Sequence, residues 1–105
     1  MLLGDILKDL TDQSQAAAAL VALGDLVLSG DVEAVRLEYQ ETVAEYVAGA
    51  TRRFAGQASD QDWLSLSTAL ERSDAPAATC LRTFVTWAIR RDRAATTDGH
   101  GCSCT

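Results

Sequence analysis

The sequence predicts an all-α protein: a bundle of four to five mostly antiparallel helices followed by a flexible C-terminal tail. Three observations support this prediction. The chain has one proline among 105 residues and is rich in alanine. Its apolar residues recur at spacings of three and four, the period of an amphipathic helix, and the alternation typical of strands is absent. The length is that of one domain. We expect the bundle to span residues 1–95 and the tail residues 96–105.

The longest segment without a helix breaker runs from Asp31 to Gly56. It predicts one helix of about seven turns, with Asp31 as its N-cap and Gly56 as its C-terminal residue. Seven of its apolar residues recur at spacings of three and four and so share one face: Val32, Val35, Tyr39, Val43, Tyr46, Ala50 and Phe54. We therefore expect this helix to lie at the centre of the bundle.

Two shorter helices are predicted before it. Met1–Leu10 has one apolar face, whereas Gln15–Leu28 is apolar on nearly every side. A helix of the second kind is buried inside a protein or forms a subunit contact, and Asp25 within it requires water or a polar partner. A tight turn at Ser29-Gly30-Asp31 then makes Gln15–Gly56 an antiparallel hairpin, the expected core.

Two more helices are predicted after the central segment, Asp60–Arg72 and Pro76–Ala94. Ser59 and Asp62 have the spacing of a capping box at the start of the first, and Asp74 is a plausible cap for the second. Their inward faces carry the following residues: Trp63, Leu66 and Leu70 in the first; Ala77, Cys80, Leu81, Phe84, Trp87 and Ala88 in the second.

Charge and composition disfavour several classes of function. The net charge is −6, and an acidic chain is repelled by phosphate backbones, so we expect no nucleic-acid partner. The first helix lacks the basic start and long apolar run of a signal peptide, and no segment is apolar for long enough to span a membrane. We therefore expect a cytoplasmic protein, and the excess of arginine over lysine suggests a GC-rich bacterial genome.

Catalysis is also disfavoured, and we expect a protein that is not an enzyme. No phosphate-binding loop or dinucleotide-binding glycine pattern is present, and the one histidine lies in the tail.

Three groups have both a structural and a functional interpretation. Tyr39 and Tyr46 are tyrosines with wet hydroxyls at the edge of the core or a ligand-binding pair. The arginines that end the last helix are a solvated terminus or a site for an anion or acidic partner: Arg90, Arg91 and Arg93. The glutamates of the central helix form a solvated face or a carboxylate metal site: Glu38, Glu41 and Glu45.

The tail contains the one motif with metal chemistry. His100, Cys102 and Cys104 place an imidazole and two thiols within five residues, and such ligands suit Zn(II) or Cu(I). A closed zinc site needs a fourth ligand, which Asp98 or the tail of a second copy would supply. Two neighbouring thiols also suit thiol redox chemistry, and an inert tail is the third interpretation. Cys80, in contrast, is expected to be a small buried apolar residue.

Two functional hypotheses follow from these patterns. The first is a non-enzymatic interaction or regulatory module without a cofactor, which associates with itself as a homodimer or with a protein partner, because Gln15–Leu28 has more apolar surface than one chain needs to bury. The second is a soft-metal or thiol carrier or sensor that acts through His100, Cys102 and Cys104.

Overall fold

The computed structural model describes the backbone of residues 3–103 and the side chains of residues 4–94. This part of the chain contains helices and no strand, which confirms the predicted all-α bundle, with six helices in place of the predicted four to five. In chain order they are α1 (Leu3–Thr11), α2 (Gln13–Leu23), α3 (Leu26–Glu38), α4 (Val43–Gln57), α5 (Asp60–Glu71) and α6 (Pro76–Ser103). No helix in the described part of the chain combines the length and the apolar character needed to cross a bilayer.

The centre of the bundle is formed by α4 and α6, which pack on each other and on α1, α2 and α3. The hairpin predicted from Gln15 to Gly56 is therefore not the core. α2 buries Ala16 and Leu20 on its inner side, while α4 buries six residues and supplies the largest side chains. α5 packs chiefly on α6.

The single helix predicted from Asp31 to Gly56 is wrong, because the chain breaks between α3 and α4. α3 ends in a Schellman motif: the Glu41 N–H donates to the Arg36 carbonyl at 3.0 Å and the Gln40 N–H to the Leu37 carbonyl at 3.2 Å. Gln40 has the left-handed conformation this motif requires, with φ 56°. Thr42 and Glu45 then form a reciprocal capping box that starts α4.

The boundary between α2 and α3 also differs from the prediction. The turn lies at Gly24, with φ 69°, and not at Ser29-Gly30-Asp31, which is inside α3. Asp25, and not Asp31, is the N-cap: its carboxylate accepts from the Leu28 N–H at 3.0 Å. Asp31 instead pairs with Arg93 of α6 at 2.9 Å.

Phe54 is the centre of an aromatic cluster that joins three helices. Its ring centroid lies 4.9 Å from that of Trp63 in α5. In α6 the corresponding distances are 4.8 Å to Phe84 and 5.4 Å to Trp87. Edge-to-face and tilted pairs of this kind add to the free energy of burial, so this cluster attaches α5 to the central pair of helices.

The predicted inward faces of the outer helices are confirmed. Ile6 and Leu10 of α1 and Leu66 of α5 are buried, and the Ser59–Asp62 capping box forms with both hydrogen bonds. In α6 the predicted stripe is buried at Cys80, Leu81, Phe84 and Ala88, whereas Trp87 is partly buried and Ala77 is exposed. α6 extends to Ser103, past the end predicted at Ala94. The division into a bundle and a flexible tail stays a prediction.

Candidate functional site

Three large apolar side chains project into solvent around the turn between α2 and α3. Val21 is 79%, Leu26 86% and Val27 77% exposed. We refer to these three residues as the α2–α3 patch. Single exposed apolar side chains are common on monomeric proteins, but groups of neighbouring ones are less common. This surface is therefore the first candidate for a contact with another chain.

The local sequence explains why the patch faces outward. Gly24 adopts the left-handed conformation that reverses the chain, and its N–H donates to the Val21 carbonyl at 3.2 Å. Asp25 caps α3, and its carboxylate also lies 3.6 Å from the guanidinium of Arg82 in α6. Leu26 and Val27 follow Asp25 in the first turn of α3 and stay exposed, whereas Leu28 is buried.

A second candidate site lies between α4 and α6, around a buried carboxylate. Asp92 Oδ1 accepts from Arg53 Nη1 at 2.8 Å, and Oδ2 accepts from Arg53 Nη2 at 3.0 Å. The Tyr46 hydroxyl donates to the same Oδ2 at 2.6 Å. The Arg53 guanidinium also lies 5.8 Å from the centre of the Tyr46 ring. We call Tyr46, Arg53 and Asp92 the acidic cluster.

The acidic cluster shifts the pKa of each of its members. Burial by itself would raise the pKa of Asp92, but the hydrogen bonds from Arg53 and Tyr46 outweigh it, and the pKa lies below its ordinary value. Burial raises the pKa of the Tyr46 phenol, and the hydrogen bond to Asp92 raises it further. The hydrogen bond to Asp92 raises the pKa of Arg53. All three groups thus keep their usual charge states at neutral pH, which is the behaviour of a structural ion pair.

An open cleft of about 500 Å³ lies beside the acidic cluster. Tyr39 and Arg52 form its exposed side, and Gly49 is part of its wall. The predicted pair of wet tyrosine hydroxyls is wrong for Tyr46, which is buried and bonded to Asp92, and holds only for the exposed position of Tyr39. Arg53 and Asp92 in the wall of the cleft bind each other, so the charges that face a ligand are those of Arg52 and Glu41.

The third candidate is a groove of about 490 Å³ between α5 and α6. We call it the α5–α6 groove. Three arginines of α6 line it: Arg82, Arg90 and Arg91. Its floor includes Phe54 and the ring of Trp87, over which the Arg91 guanidinium lies at 4.7 Å from the ring centre.

The arginines predicted to end the last helix therefore have different roles. Arg93 makes the contact with Asp31 described above, so its counter-charge lies in α3 of the same chain. Arg91 stacks on Trp87, and Arg90 is exposed at the groove. The group is thus divided between an intramolecular ion pair and the α5–α6 groove.

The glutamates proposed as a solvated face are separated by the break between α3 and α4. Glu38 is exposed at the end of α3, and Glu41 lies in the connection. Glu45 accepts from the Thr42 N–H at 2.8 Å in the capping box. Among residues 4–94, no three histidine, cysteine or acidic side chains are placed to hold one metal ion.

The metal motif predicted in the tail lies outside the described residues. Nothing is described of the side chains of Asp98, His100 and Cys102, and Cys104 follows the last described position. The proposed Zn or Cu site and the redox alternative stay predictions. Cys80 is confirmed as a buried free thiol, and burial raises its pKa.

Neither Asp92 nor Arg53 was predicted as a site residue, although the sequence contains a signal for Asp92. Asp92 follows Val85, Ala88 and Ile89 at helical spacing, so a carboxylate occupies the buried stripe of α6. A charged group in a buried stripe requires a partner, and the partner is found in α4.

Comparison with known proteins adds no relative: no family model matches the chain, and no curated protein or solved structure matches it at a significant level.

Proposed function

We propose that this protein is a non-enzymatic interaction module that self-associates, with the α2–α3 patch as its docking surface. The exposure of Val21, Leu26 and Val27 is the observation that supports this proposal. The binding partner is a second copy of the chain, related by a twofold axis that places the same surface on both sides of the contact.

The composition of α2 favours a second copy. From Gln13 to Leu23 the helix carries no charged residue, so two chains of net charge −6 can bring α2 against α2 without placing like charges together. Its outer face consists of Ala18, Val21 and Ala22, at spacings of three and four. The two small alanines allow close approach of the helices, with Val21 between them.

The apolar surface also continues from α2 toward α6. A depression of about 290 Å³ lies between the two helices, and its walls include Ala22, Leu23 and Leu81. Because Ala22 belongs both to this depression and to the outer face of α2, the apolar surface available to a second copy is larger than the three exposed side chains.

The expected affinity is modest. Full burial of a valine or leucine contributes about 2 kcal/mol, so the three side chains from each of two copies contribute on the order of 10 kcal/mol. Association costs at least about 4 kcal/mol in lost freedom, and side-chain ordering and polar desolvation add to that cost. These figures leave about 4–6 kcal/mol, so we expect a dimer with a Kd of roughly 0.1–1 mM from the patch alone.

Sedimentation velocity over a range of protein concentrations tests this proposal. Wild-type protein is expected to shift from monomer to dimer, and the Leu26→Gln/Val27→Gln variant is expected to remain monomeric. Leu64→Gln is the matched control, because Leu64 is 63% exposed but lies on α5, outside the patch. Far-UV circular dichroism checks that each variant keeps its helical content.

Two outcomes contradict the proposal. The first is a wild-type protein that stays monomeric at concentrations well above the expected Kd. The second is a dimer that the Leu26→Gln/Val27→Gln and Leu64→Gln variants weaken equally, since that would place the contact elsewhere on the bundle.

A further inference from the structure

We infer that the α5–α6 groove is a docking site for an acidic helical segment of a partner protein. This site is distinct from the self-association surface, because the groove and the α2–α3 patch share no residue, although Arg82 of the groove contacts Asp25 beside the patch. The argument rests on the spacing of the groove's charges, on their availability and on the apolar floor between them.

The basic residues of the groove are arranged in rows along α6. Arg82, Thr86 and Arg90 follow one another at four-residue intervals, and Thr83, Trp87 and Arg91 form a parallel row. Side chains four apart lie on the same face of a helix. Arg82 and Arg90 are therefore separated by about 12 Å along the axis, at 1.5 Å per residue.

The charges of these rows are largely available to a partner. Arg82 is 57% exposed, and its contact with Asp25 is long, at 3.6 Å. Arg90 is exposed and makes no ion pair with another residue of the described part of the chain. Arginine binds carboxylates through two parallel N–H groups, so both ends of the row can accept an acidic side chain.

Asp62, the one acidic side chain among the residues that line the groove, already accepts two hydrogen bonds. Asp62 Oδ2 accepts from the Ser59 N–H at 2.9 Å and from Trp87 Nε1 at 3.1 Å. The backbone hydrogen bond from Ser59 is the main reason that the pKa of Asp62 lies below its ordinary value. Asp62 therefore fixes the indole ring of Trp87 in the floor and offsets only part of the positive charge around it.

These features define the partner by its chemistry. Acidic residues eight positions apart on a helix are also separated by about 12 Å, so they match Arg82 and Arg90. An apolar residue midway between them would lie near Thr86, beside the stacked side chains of Trp87 and Arg91. Charge complementarity of this kind selects an acidic amphipathic helix. A nucleic acid is disfavoured more strongly than a short acidic helix, because it brings many more negative charges against a chain of net charge −6.

Fluorescence anisotropy with a designed peptide tests the inference. The probe is a fluorescein-labelled, alanine-based peptide of about four helical turns, with two glutamates eight residues apart and a leucine midway between them. The full-length protein is expected to bind it saturably, and binding should weaken as salt is added. A second peptide, with glutamine in place of both glutamates, is expected to bind at least several-fold more weakly.

Protein variants then locate the site. Because each exposed contact contributes up to a few-fold, Arg82→Gln/Arg90→Gln is expected to weaken binding by about tenfold. Arg52→Gln/Arg72→Gln is the matched control: it removes the same charge from two exposed arginines outside the groove, and it should change the affinity by less than about twofold.

Three results would overturn the inference. These are the absence of saturable peptide binding, equal weakening by the groove variant and its control, and displacement of the peptide by an oligothymidylate of similar charge. The last result would mean that the groove recognises negative charge in general and not an acidic helix. Sedimentation velocity separates this result from the proposed function. Arg90→Gln, which leaves the contact between Arg82 and Asp25 in place, is expected to dimerise as the wild type does.

Discussion

Replacing Asp92 with asparagine tests how much the acidic cluster stabilises the packing of α4 on α6. Asparagine keeps the shape of the side chain, but an amide nitrogen takes the place of one carboxylate oxygen. Arg53 donates to both oxygens of Asp92. In either orientation of the amide, therefore, one N–H group of Arg53 faces another donor and loses its hydrogen bond.

The expected loss follows from the exposure of the two partners. A hydrogen bond between charged groups contributes about 1.5–3 kcal/mol, and breaking a fully buried ion pair costs about 3–5 kcal/mol. The side chain of Asp92 is 10% exposed, but that of Arg53 is 35% exposed, so water restores part of the solvation of the guanidinium. We expect Asp92→Asn to lower the free energy of unfolding by about 2 kcal/mol.

Urea unfolding followed by far-UV circular dichroism measures this loss, with Asp31→Asn as the matched control. Asp31 is also paired with an arginine, Arg93, at 2.9 Å, but the two side chains are 35% and 55% exposed. Such a surface pair contributes about 0.5 kcal/mol or less. Equal losses in the two variants would show that the acidic cluster contributes no more than a surface ion pair, which would contradict this prediction.

The same comparison has a defined pH dependence. The pKa of Asp92 is lower in the folded protein than its ordinary value of 3.8, so its ionisation stabilises the fold above that value. This contribution is lost as the pH falls below 3.8 through the lowered pKa. We therefore expect the difference between wild type and Asp92→Asn to be largest near neutral pH and to shrink below about pH 4. A difference that stayed constant down to pH 2 would contradict the assigned charge state.

Three further predictions concern the core, the turns and the tail. Phe54→Ala is expected to lower the free energy of unfolding by about 4 kcal/mol in urea titrations, because Phe54 is 1% exposed at the centre of the aromatic cluster; a loss below 1 kcal/mol would contradict that position. Both Gly24 and Gln40 have positive φ, which glycine adopts more easily than other residues. In thermal unfolding, Gly24→Ala should therefore destabilise the protein by about 1 kcal/mol and Gln40→Gly should stabilise it by about 0.5 kcal/mol. Changes of the same sign in the two variants would contradict this reasoning. If the tail binds Zn(II) or Cu(I), as its sequence predicts, native mass spectrometry of the reduced protein will show stoichiometric metal that is lost in Cys102→Ser/Cys104→Ser, and unchanged binding in that variant would exclude the motif.

The candidate interaction surface was partly predictable from the sequence. The apolar character of Gln15–Leu28 indicated more apolar surface than a small bundle needs to bury, and Val21, Leu26 and Val27 are indeed exposed. The α5–α6 groove was not predicted, because it requires residues of α4, α5 and α6 to meet. Only the presence of a cationic helix end was visible in Arg90 and Arg91.

The break between α3 and α4 shows where local signals compete. The periodicity of Val32, Val35 and Tyr46 continues across residues 39–42, and it predicted one helix. The Thr42–Glu45 capping box is also visible in the sequence, but the left-handed residue before it is Gln40, where glycine is the usual choice. A break at such a residue costs free energy locally, so packing of the separated helices must stabilise it.

The sequence by itself determined the helical class, the buried faces of α1, α5 and α6, and the Ser59–Asp62 cap, because these depend on residue spacing and on hydrogen bonds between near neighbours. The tertiary structure decided which helices form the centre, where the long apolar segment breaks and which partner Asp92 finds. Tyr46 and Asp92 are 46 residues apart, and no local pattern specifies such a pair. Their contact exists because the packing of α4 on α6 removes both groups from water, and the hydrogen bond between them replaces hydrogen bonds to water.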